Sequence, residues 1–176
     1  MIEMRTVHTA DLDSGTRSAA RELLDEAFGD LTDDDWEHAL GGLHALAWDG
    51  SELIGHASLI QRRLLHGGRA LRAGYVEAVA VREDRRGEGH GAAMMAVLED
   101  IARRAYEVAA LGAARAAGEF YAARGWQRWR GPTYALTPDG IRRTADVDGW
   151  IFVFQLTAPL NLSAGITCDW RDGDVW

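Results

Sequence analysis

The spacing of apolar positions in the first forty residues predicts one strand followed by two helices. Ile2–His8 alternates over a short stretch, as a strand does. A helix is predicted to begin after Asp11 or Asp13, either of which can cap it, and to end near Phe28, where Gly29 follows. Its apolar stripe has helical spacing and comprises Ala20, Leu23, Leu24, Ala27 and Phe28. Thr32–Leu40 predicts a second short helix, with Thr32 as its cap.

A run of long strands with short turns follows. The pattern predicts strands over His44–Trp48, Leu53–Leu65 and Ala70–Val81. Asp49–Ser51 and Gly67–Gly68 have the composition of tight turns. Together these segments predict an antiparallel meander.

The second half changes to a charged loop followed by alternating helices and strands. Arg82–His90 is charged and glycine-rich, and the chain from Asn161 is expected to be irregular. The elements predicted between them are a helix over Gly91–Ala105, a strand over Tyr106–Leu111, a helix over Ala113–Ala123, and late strands at Trp126–Trp129, Tyr134–Leu136 and Trp150–Leu156. This order predicts an α+β fold around one mixed sheet, in a single domain over residues 1–176.

Composition narrows the function classes. The net charge of −8 argues against a nucleic-acid surface and is compatible with a cationic substrate, although it also simply favours solubility. No apolar run is long enough to cross a bilayer, so we expect no membrane association. The single cysteine, Cys168, excludes an internal disulfide and disfavours a metal cluster. We therefore expect a cytoplasmic protein without a bound metal.

The segment Arg86-Gly-Glu-Gly-His-Gly91 lies between a predicted strand and a predicted helix. Glycines allow backbone amides to approach a ligand, and the following helix presents its free N–H groups and positive dipole end. Such a loop suits a pyrophosphate, and Arg82, Arg85 and Arg86 add positive charge to an otherwise acidic chain. A dinucleotide fingerprint would normally follow the first parallel strand, and the Lys-Ser/Thr ending of a P-loop is missing. By itself the segment is equally compatible with a plain turn.

Two segments resemble the motifs of the GNAT N-acetyltransferases. Arg86, Gly89 and Gly91 match the fixed positions of the acyl-CoA motif of that superfamily. Phe120-Tyr-Ala-Ala-Arg-Gly-Trp126 is similar to a second GNAT motif, with tryptophan at the last position. The resemblance implies the GNAT fold, a mixed and mostly antiparallel sheet with a splayed pair of parallel strands, flanked by helices.

Further segments along nearly the whole chain resemble the aminoglycoside 2′-N-acetyltransferases of actinobacteria. They are Val7–Asp13, Asp35–His38, Gly41–Leu46, Ile60–Leu64, Gly74–Glu77 and Cys168–Trp176. This resemblance implies acetyl-CoA as donor, direct transfer in a ternary complex to the 2′-amine of an aminoglycoside, drug resistance, and a homodimer.

The resemblance also implies which residues bind the two ligands. The donor is expected at Val79, Ala80 and Val81, which meet the pantetheine arm, and at the loop residues Arg86, Gly87, Glu88, Gly89, His90 and Gly91. The cationic drug is expected at Asp30, Asp35, Glu77, Ala78, Gly112, Asp146, Asp148, Asp174 and Trp176. Gly112 replaces a serine of relatives, and Val147 stands where an acid is expected.

Three residues are expected to carry the chemistry. The attacking amine must be neutral, so a base has to remove its proton. Glu77, acting through a water molecule, is the first choice of base, and the carboxylate of Trp176 is the second. Tyr121 is expected to protonate the departing thiolate, whereas Cys168 is read as structural.

Each of these residues also has a plainer interpretation. The acids Asp30–Asp35 favour a helix start through its dipole. Glu77 could serve an edge-strand salt bridge, and Tyr121 could be a core aromatic beside Phe120. The C-terminal segment could be disordered, although Trp170 and Trp176 argue that it docks. At the level of function, the alternatives are a GNAT enzyme for another amine, such as a kasugamycin-like aminosugar, a polyamine or a peptide N-terminus, and a non-catalytic CoA-binding module.

Overall fold

The computed structural model describes residues 1–176, and for Arg115 its backbone alone. The chain forms two compact units: residues 1–60 with 76–101, and residues 61–75 with 102–176. Two long strands, β3 (Glu52–His66) and β4 (Arg69–Val81), contribute residues to both. The expectation of one domain over 1–176 stays a prediction.

The first unit contains the N-terminal strands and the longest helices. Its elements are β1 (Ile2–His8), α1 (Ser14–Phe28), α2 (Asp33–His38), β2 (Leu43–Asp49), the start of β3, the end of β4, and α3 (His90–Ala105) as far as Ile101. β2 pairs antiparallel with β1 and with β3, as the predicted meander requires.

Helix α1 shows how the sequence sets local structure. Asp13, rather than Asp11, caps it by accepting from the Thr16 N–H at 2.8 Å. Gly29 ends it in the left-handed conformation, with φ 74°. The buried face includes Leu23 and Leu24, which pack with Ala80 of β4. The predicted boundaries of this helix are confirmed.

The second unit is built mainly from short strands. Its own elements are β5 (Val108–Gly112), α4 (Gly118–Ala123), β6 (Gln127–Arg128), β7 (Thr133–Thr137), β8 (Gly140–Arg143), β9 (Ile151–Gln155) and β10 (Ile166–Cys168). The strand order is β6-β9-β5-β4-β3-β10-β7-β8. Leu64, Tyr75, Trp129 and Ile166 are among the buried residues of its core.

Strands β4 and β5 form a parallel pair. Their register covers Ala73–Tyr75 of β4 against residues 108–110 of β5, while β4 continues to Val81. The predicted α+β class, with a mixed and mostly antiparallel sheet, is confirmed.

Three sequence-based predictions of secondary structure were wrong. The stretch from Asn161 was expected to be irregular, but Ile166–Cys168 forms β10, which pairs parallel with β7 and antiparallel with β3. The helix expected over Ala113–Ala123 starts at Gly118, after a 3-10 turn. Strand β8 was not expected at all. Among the helices of the described chain, none is long and apolar enough to cross a membrane.

Candidate active site

The glycine loop of the first unit has the geometry of an anion cradle. Gly87 and Gly89 have φ of 81° and 87°, a region that disfavours any residue with a side chain. The Ala93 N–H bonds to the Gly89 carbonyl at 3.0 Å, so the helix begins immediately after this glycine. The first N–H groups of the 16-residue helix α3 therefore follow the loop directly, where the helix dipole favours an anion.

The three arginines of the loop differ in their partners. Arg82 forms ion pairs with Asp84 and Glu52, and Arg85 forms them with Asp49 and Glu88. Both are therefore neutralised locally, contrary to the expectation that all three add net positive charge.

Arg86 instead donates to the Val81 carbonyl at 3.1 Å, and the described side chains give it no acidic partner. A cavity of about 350 Å³ is lined by Arg82 and Arg86, by Leu23, Glu26 and Ala27 of α1, and by the loop acids Glu83 and Asp84. Arg86 is consequently the guanidinium of this loop that is best suited to a phosphate.

Strand β4 carries a local irregularity beside the expected base. Ala78 has a positive φ of 51°. Every other residue with a positive φ in the described part of the chain is a glycine. Such a conformation costs about 1–3 kcal/mol, and it is usually maintained by surrounding contacts. Glu77 and Val79 flank it and are half-buried. This irregularity, which we call the bulge, therefore lies between Glu77 and the segment expected to bind the donor, Val79–Gly91, which we call the donor segment.

The expected drug-binding acids of the first unit lie at the start of α2. Asp30 is exposed. Asp35 forms a capping box with Thr32: its carboxylate accepts from the Thr32 N–H at 2.9 Å and from the Thr32 hydroxyl at 2.7 Å. The helix-start interpretation of Asp35 is thus confirmed.

In the second unit, the tail, Asp169–Trp176, is docked. The Trp176 indole is 5% exposed, and its N–H donates to the Thr144 hydroxyl at 2.9 Å. The Trp176 backbone N–H donates to Asp174 at 3.1 Å. Trp170, by contrast, is 47% exposed, so the expectation that both indoles dock holds for Trp176 alone.

A buried arginine holds this tail. Arg62 is 4% exposed and donates to the Asp169 carboxylate at 2.7 Å and to the Val175 carbonyl at 2.7 Å. Its guanidinium lies 4.7 Å from the centre of the Tyr75 ring. Arg62 was not among the expected site residues, although it lies in the resembling segment Ile60–Leu64 and is a charged residue in an apolar strand.

Gly112 lies next to the last residue of the tail. A Cβ built on Gly112 would be 3.6 Å from the Tyr75 hydroxyl and 3.8 Å from the main chain of Trp176. These are ordinary van der Waals distances, so the position has room for a small side chain.

The two acids of the loop before β9 differ in their surroundings. Asp146 is exposed. Asp148 accepts from the Thr133 N–H at 3.1 Å and forms an ion pair with Arg143, which, as its largest cause, lowers the pKa of Asp148 to about 2. Both carboxylate oxygens of Asp148 have partners within the chain, which tie this loop to β7.

Tyr121 is the buried member of the Phe120–Tyr121 pair. It is 7% exposed and packs against Trp126 and Phe152, whereas Phe120 is 37% exposed. Burial raises the pKa of Tyr121 to about 12, so the hydroxyl keeps its proton throughout the neutral range. The group can donate a hydrogen bond, as the expected acid must.

Cys168 has the properties of a structural residue. It is fully buried, and burial raises the pKa of its thiol to about 11. No group of three or more side chains suited to a metal ion occurs among those that the structure describes.

A family model described as an acetyltransferase (GNAT) domain matches residues 9–129 of the chain. The chain belongs to the GNAT acetyltransferase family. As a GNAT protein, it matches an aminoglycoside 2′-N-acetyltransferase of Mycolicibacterium fortuitum with 52% identity, over 98% of this chain and 91% of that one. Because it covers 98% of the chain, that match extends well beyond residue 129, where the family model ends.

The predicted GNAT fold is confirmed by the family model and by the similarity of the chain to solved structures. Escherichia coli ElaA matches with a TM-score of 0.63 and 22% identity, over 88% of this chain and 100% of that one. Eis1 from Mycobacterium abscessus matches with a TM-score of 0.61 and 22% identity, over 76% of this chain and 32% of that one.

Proposed function

We propose that this GNAT enzyme is an aminoglycoside 2′-N-acetyltransferase that uses acetyl-CoA and confers resistance to its drug substrates. The observation that carries the proposal is the 52% identity to the Mycolicibacterium fortuitum enzyme of that name over 98% of the chain. The docked tail adds support, because a segment with so many partners is not a loose chain end.

The donor segment would hold acetyl-CoA mainly through its backbone. The positive-φ conformations of Gly87 and Gly89, the start of α3 and the unneutralised Arg86 fit a pyrophosphate. Val79, Ala80 and Val81 would hold the pantetheine arm, and the backbone of Glu88, His90 and Gly91 the phosphates. Acetyl-CoA supplies an acetyl group activated as a thioester.

Carboxylates would bind the ammonium groups of the drug. Asp30, Asp35, Asp146, Asp174 and the Trp176 carboxylate are our candidates. Glu77, Ala78 and Gly112 are further candidates for contacts with the drug. Asp148, whose carboxylate already binds Arg143 and Thr133, is a further candidate for contact with the drug.

Proton transfer would involve two side chains and, as a second choice of base, the chain terminus. Glu77 would accept the proton of the ammonium group, and the Trp176 carboxylate is the alternative base. Tyr121 would donate to the sulfur of the leaving thiolate. Because its pKa is about 12, it would keep its proton and act as a hydrogen-bond donor throughout the neutral range.

The proposal is tested by measuring free thiol release from acetyl-CoA with a panel of aminoglycosides. We expect turnover with drugs that carry a 2′-amine and none with matched drugs that carry a 2′-hydroxyl. Turnover with polyamines, peptides or kasugamycin-like aminosugars instead would assign a different acceptor. Donor binding without thiol release from any amine would identify a binding module.

We also propose a homodimer in the cytoplasm, formed by single-domain chains. The dimer is supported by the resemblance to GNAT relatives, and the cytoplasmic location by the single cysteine. Sedimentation tests the dimer, cell fractionation tests the location, and a single cooperative unfolding transition tests the one-domain prediction.

A further inference from the structure

Two buried histidines form a hydrogen-bonded chain that ends on the bulge of β4. His44 and His56 are both completely buried. The Thr9 hydroxyl lies 2.7 Å from His44 Nε2, and His44 Nδ1 lies 2.9 Å from His56 Nε2. His56 Nδ1 lies 2.8 Å from the Ala78 carbonyl oxygen.

The direction of each hydrogen bond follows from the last acceptor. A carbonyl oxygen can only accept, so His56 Nδ1 carries a proton and donates to Ala78. In a neutral ring His56 Nε2 is then the acceptor, which makes His44 Nδ1 the donor to it. His44 Nε2 therefore accepts from the Thr9 hydroxyl, whose single proton is assigned to this 2.7 Å contact rather than to the Gly42 carbonyl at 3.2 Å. Every polar atom of both rings then has one assigned role.

Both rings are neutral at physiological pH. Burial, followed by the neighbouring His56 and the positive charges of His8 and Arg17, lowers the pKa of His44 to about 3. Burial also lowers the pKa of His56 to about 4, against the opposite effect of the Ala78 carbonyl. The chain of donors is accordingly constant over the range in which an acetyltransferase works.

The residue before Ala78 is held in a similar way. The Ser58 hydroxyl, two residues after His56 on β3, donates to the Glu77 carbonyl at 3.3 Å. In a regular strand successive carbonyls point in opposite directions, but here two successive carbonyls accept from side chains of one strand. The positive φ of Ala78 makes this arrangement possible.

The orientation of these carbonyls determines that of the following amides. A trans peptide group is planar, with its N–H opposite its C=O. When the Glu77 and Ala78 carbonyls point towards the side chains of His56 and Ser58, the N–H groups of Ala78 and Val79 point away from them. Two adjacent donors are thus aimed in a common direction at the start of the donor segment.

We propose that His44 and His56 are positioning residues, which fix the Ala78 carbonyl and thereby aim the Ala78 and Val79 amides at the thioester carbonyl of the acyl donor. This inference rests on the proposed acetyl-CoA chemistry. Neither histidine belongs to the two sequence motifs of the family. The inference gives both of these buried side chains a part in orienting backbone donors. Preorganised donors of this kind stabilise developing negative charge on oxygen.

The first test is spectroscopic and needs no turnover. Long-range ¹⁵N spectra of the wild-type protein should show His44 and His56 as neutral rings protonated at Nδ1 between pH 5.5 and 8.5. A ring of His56 protonated at Nε2 would overturn the proposal, because it could not donate to Ala78. Acetyl-CoA should also shift the Ala78 and Val79 amide signals differently from CoA, which lacks the carbonyl group.

The second test separates catalysis from donor binding. His56→Phe removes the donor and keeps a flat ring, whereas His56→Asn restores an N–H at the position of Nδ1. We expect His56→Phe to lower kcat by roughly 10- to 100-fold, with CoA affinity unchanged, and His56→Asn to recover part of the loss. His56→Phe should also abolish the difference between the amide shifts produced by acetyl-CoA and by CoA.

His66 provides a matched control on the same strand. It is buried, its Nδ1 lies 3.0 Å from the Gly165 carbonyl, and its Nε2 accepts from the Asn161 N–H at 3.1 Å. His66→Phe should therefore cost stability similarly but leave kcat per folded molecule unchanged. Equal losses of kcat in His56→Phe and His66→Phe would refute the positioning role.

The two proposals fail in different ways. If wild-type protein acetylates no aminoglycoside but acetylates another amine, the proposed acceptor is wrong, and the histidine variants are measured with that amine. If the wild-type protein is active on aminoglycosides and His56→Phe retains its kcat, the acceptor stands and the histidine chain has no positioning role.

Discussion

The donor segment and the tail, which we propose as binding surfaces, are built in two different ways. In the donor segment the important groups are backbone amides, exposed by Gly87 and Gly89 and by the start of α3. In the tail they are side chains, held in place by Arg62. A surface made of backbone tolerates changes of most side chains but not an added Cβ at its glycines, whereas a surface made of side chains depends on their identity.

The largest effect should come from Glu77, which precedes the donor segment by two residues. Glu77→Gln removes the proposed base and keeps the shape of the side chain, so kcat should fall by roughly 10²- to 10⁴-fold. A base works only when ionised, and the rise of the wild-type rate with pH should therefore flatten in the variant. The pH profile of kcat measured by thiol release checks this. An unchanged profile would transfer the role to the Trp176 carboxylate.

Gly89 tests whether the donor segment works through its backbone. At φ 87° a β-branched side chain is strained, although nothing lies within 4 Å of the built Cβ. Gly89→Val should weaken acetyl-CoA binding by roughly 5- to 100-fold, which corresponds to about 1–3 kcal/mol of strain. Calorimetry with acetyl-CoA measures it. Glu88→Gln, which alters only a side chain of the same loop, should bind within about twofold of wild type.

Arg62 tests whether the tail depends on side-chain contacts. Arg62→Met leaves the Val175 carbonyl and the Asp169 carboxylate without this donor, so the free energy of unfolding should fall by about 1–3 kcal/mol. The KM for the drug should rise on the order of 10-fold, while the affinity for acetyl-CoA stays constant. The exposed neighbour gives the control, since Arg63→Met makes the same change of charge. Similar KM values for the two variants would argue against the anchor.

The smallest effect is expected at Gly112, where a side chain could be added to the acceptor side. Gly112→Ser has room for its Cβ and would supply a hydroxyl, so the KM for the drug should fall by roughly 2- to 10-fold. Gly112→Ala adds the same Cβ without the hydroxyl and should leave the KM unchanged. An increase of KM in both variants would mean that the position needs its space empty.

The sequence predicted those parts of the fold that local patterns determine. Helix α1 has its apolar stripe, its cap at Asp13 and its stop at Gly29 within one segment. Strand β10 could not be predicted in this way, because three residues have no usable period and the strand exists through its pairing with β3 and β7. The resemblance identified the residues of the proposed site, but not their partners.

Two features of the candidate site lay beyond any local pattern. Alanine gives no sign that it will adopt a positive φ, so the bulge at Ala78 depends on what surrounds it. His44 and His56 are twelve residues apart in sequence, and the antiparallel pairing of β2 and β3 is needed to bring their rings together. Arg62 similarly meets its partners across more than one hundred residues.

The burial of Cys168 has a practical consequence for experiments in solution. Since the only thiol of the chain is buried and resists ionisation, thiol reagents in an activity assay should report released CoA rather than the protein. Cysteines introduced at exposed positions such as Glu22 and Asp139, one in each unit, would be labelled selectively. Fluorescent or spin labels there could follow distances during turnover without first removing a native residue.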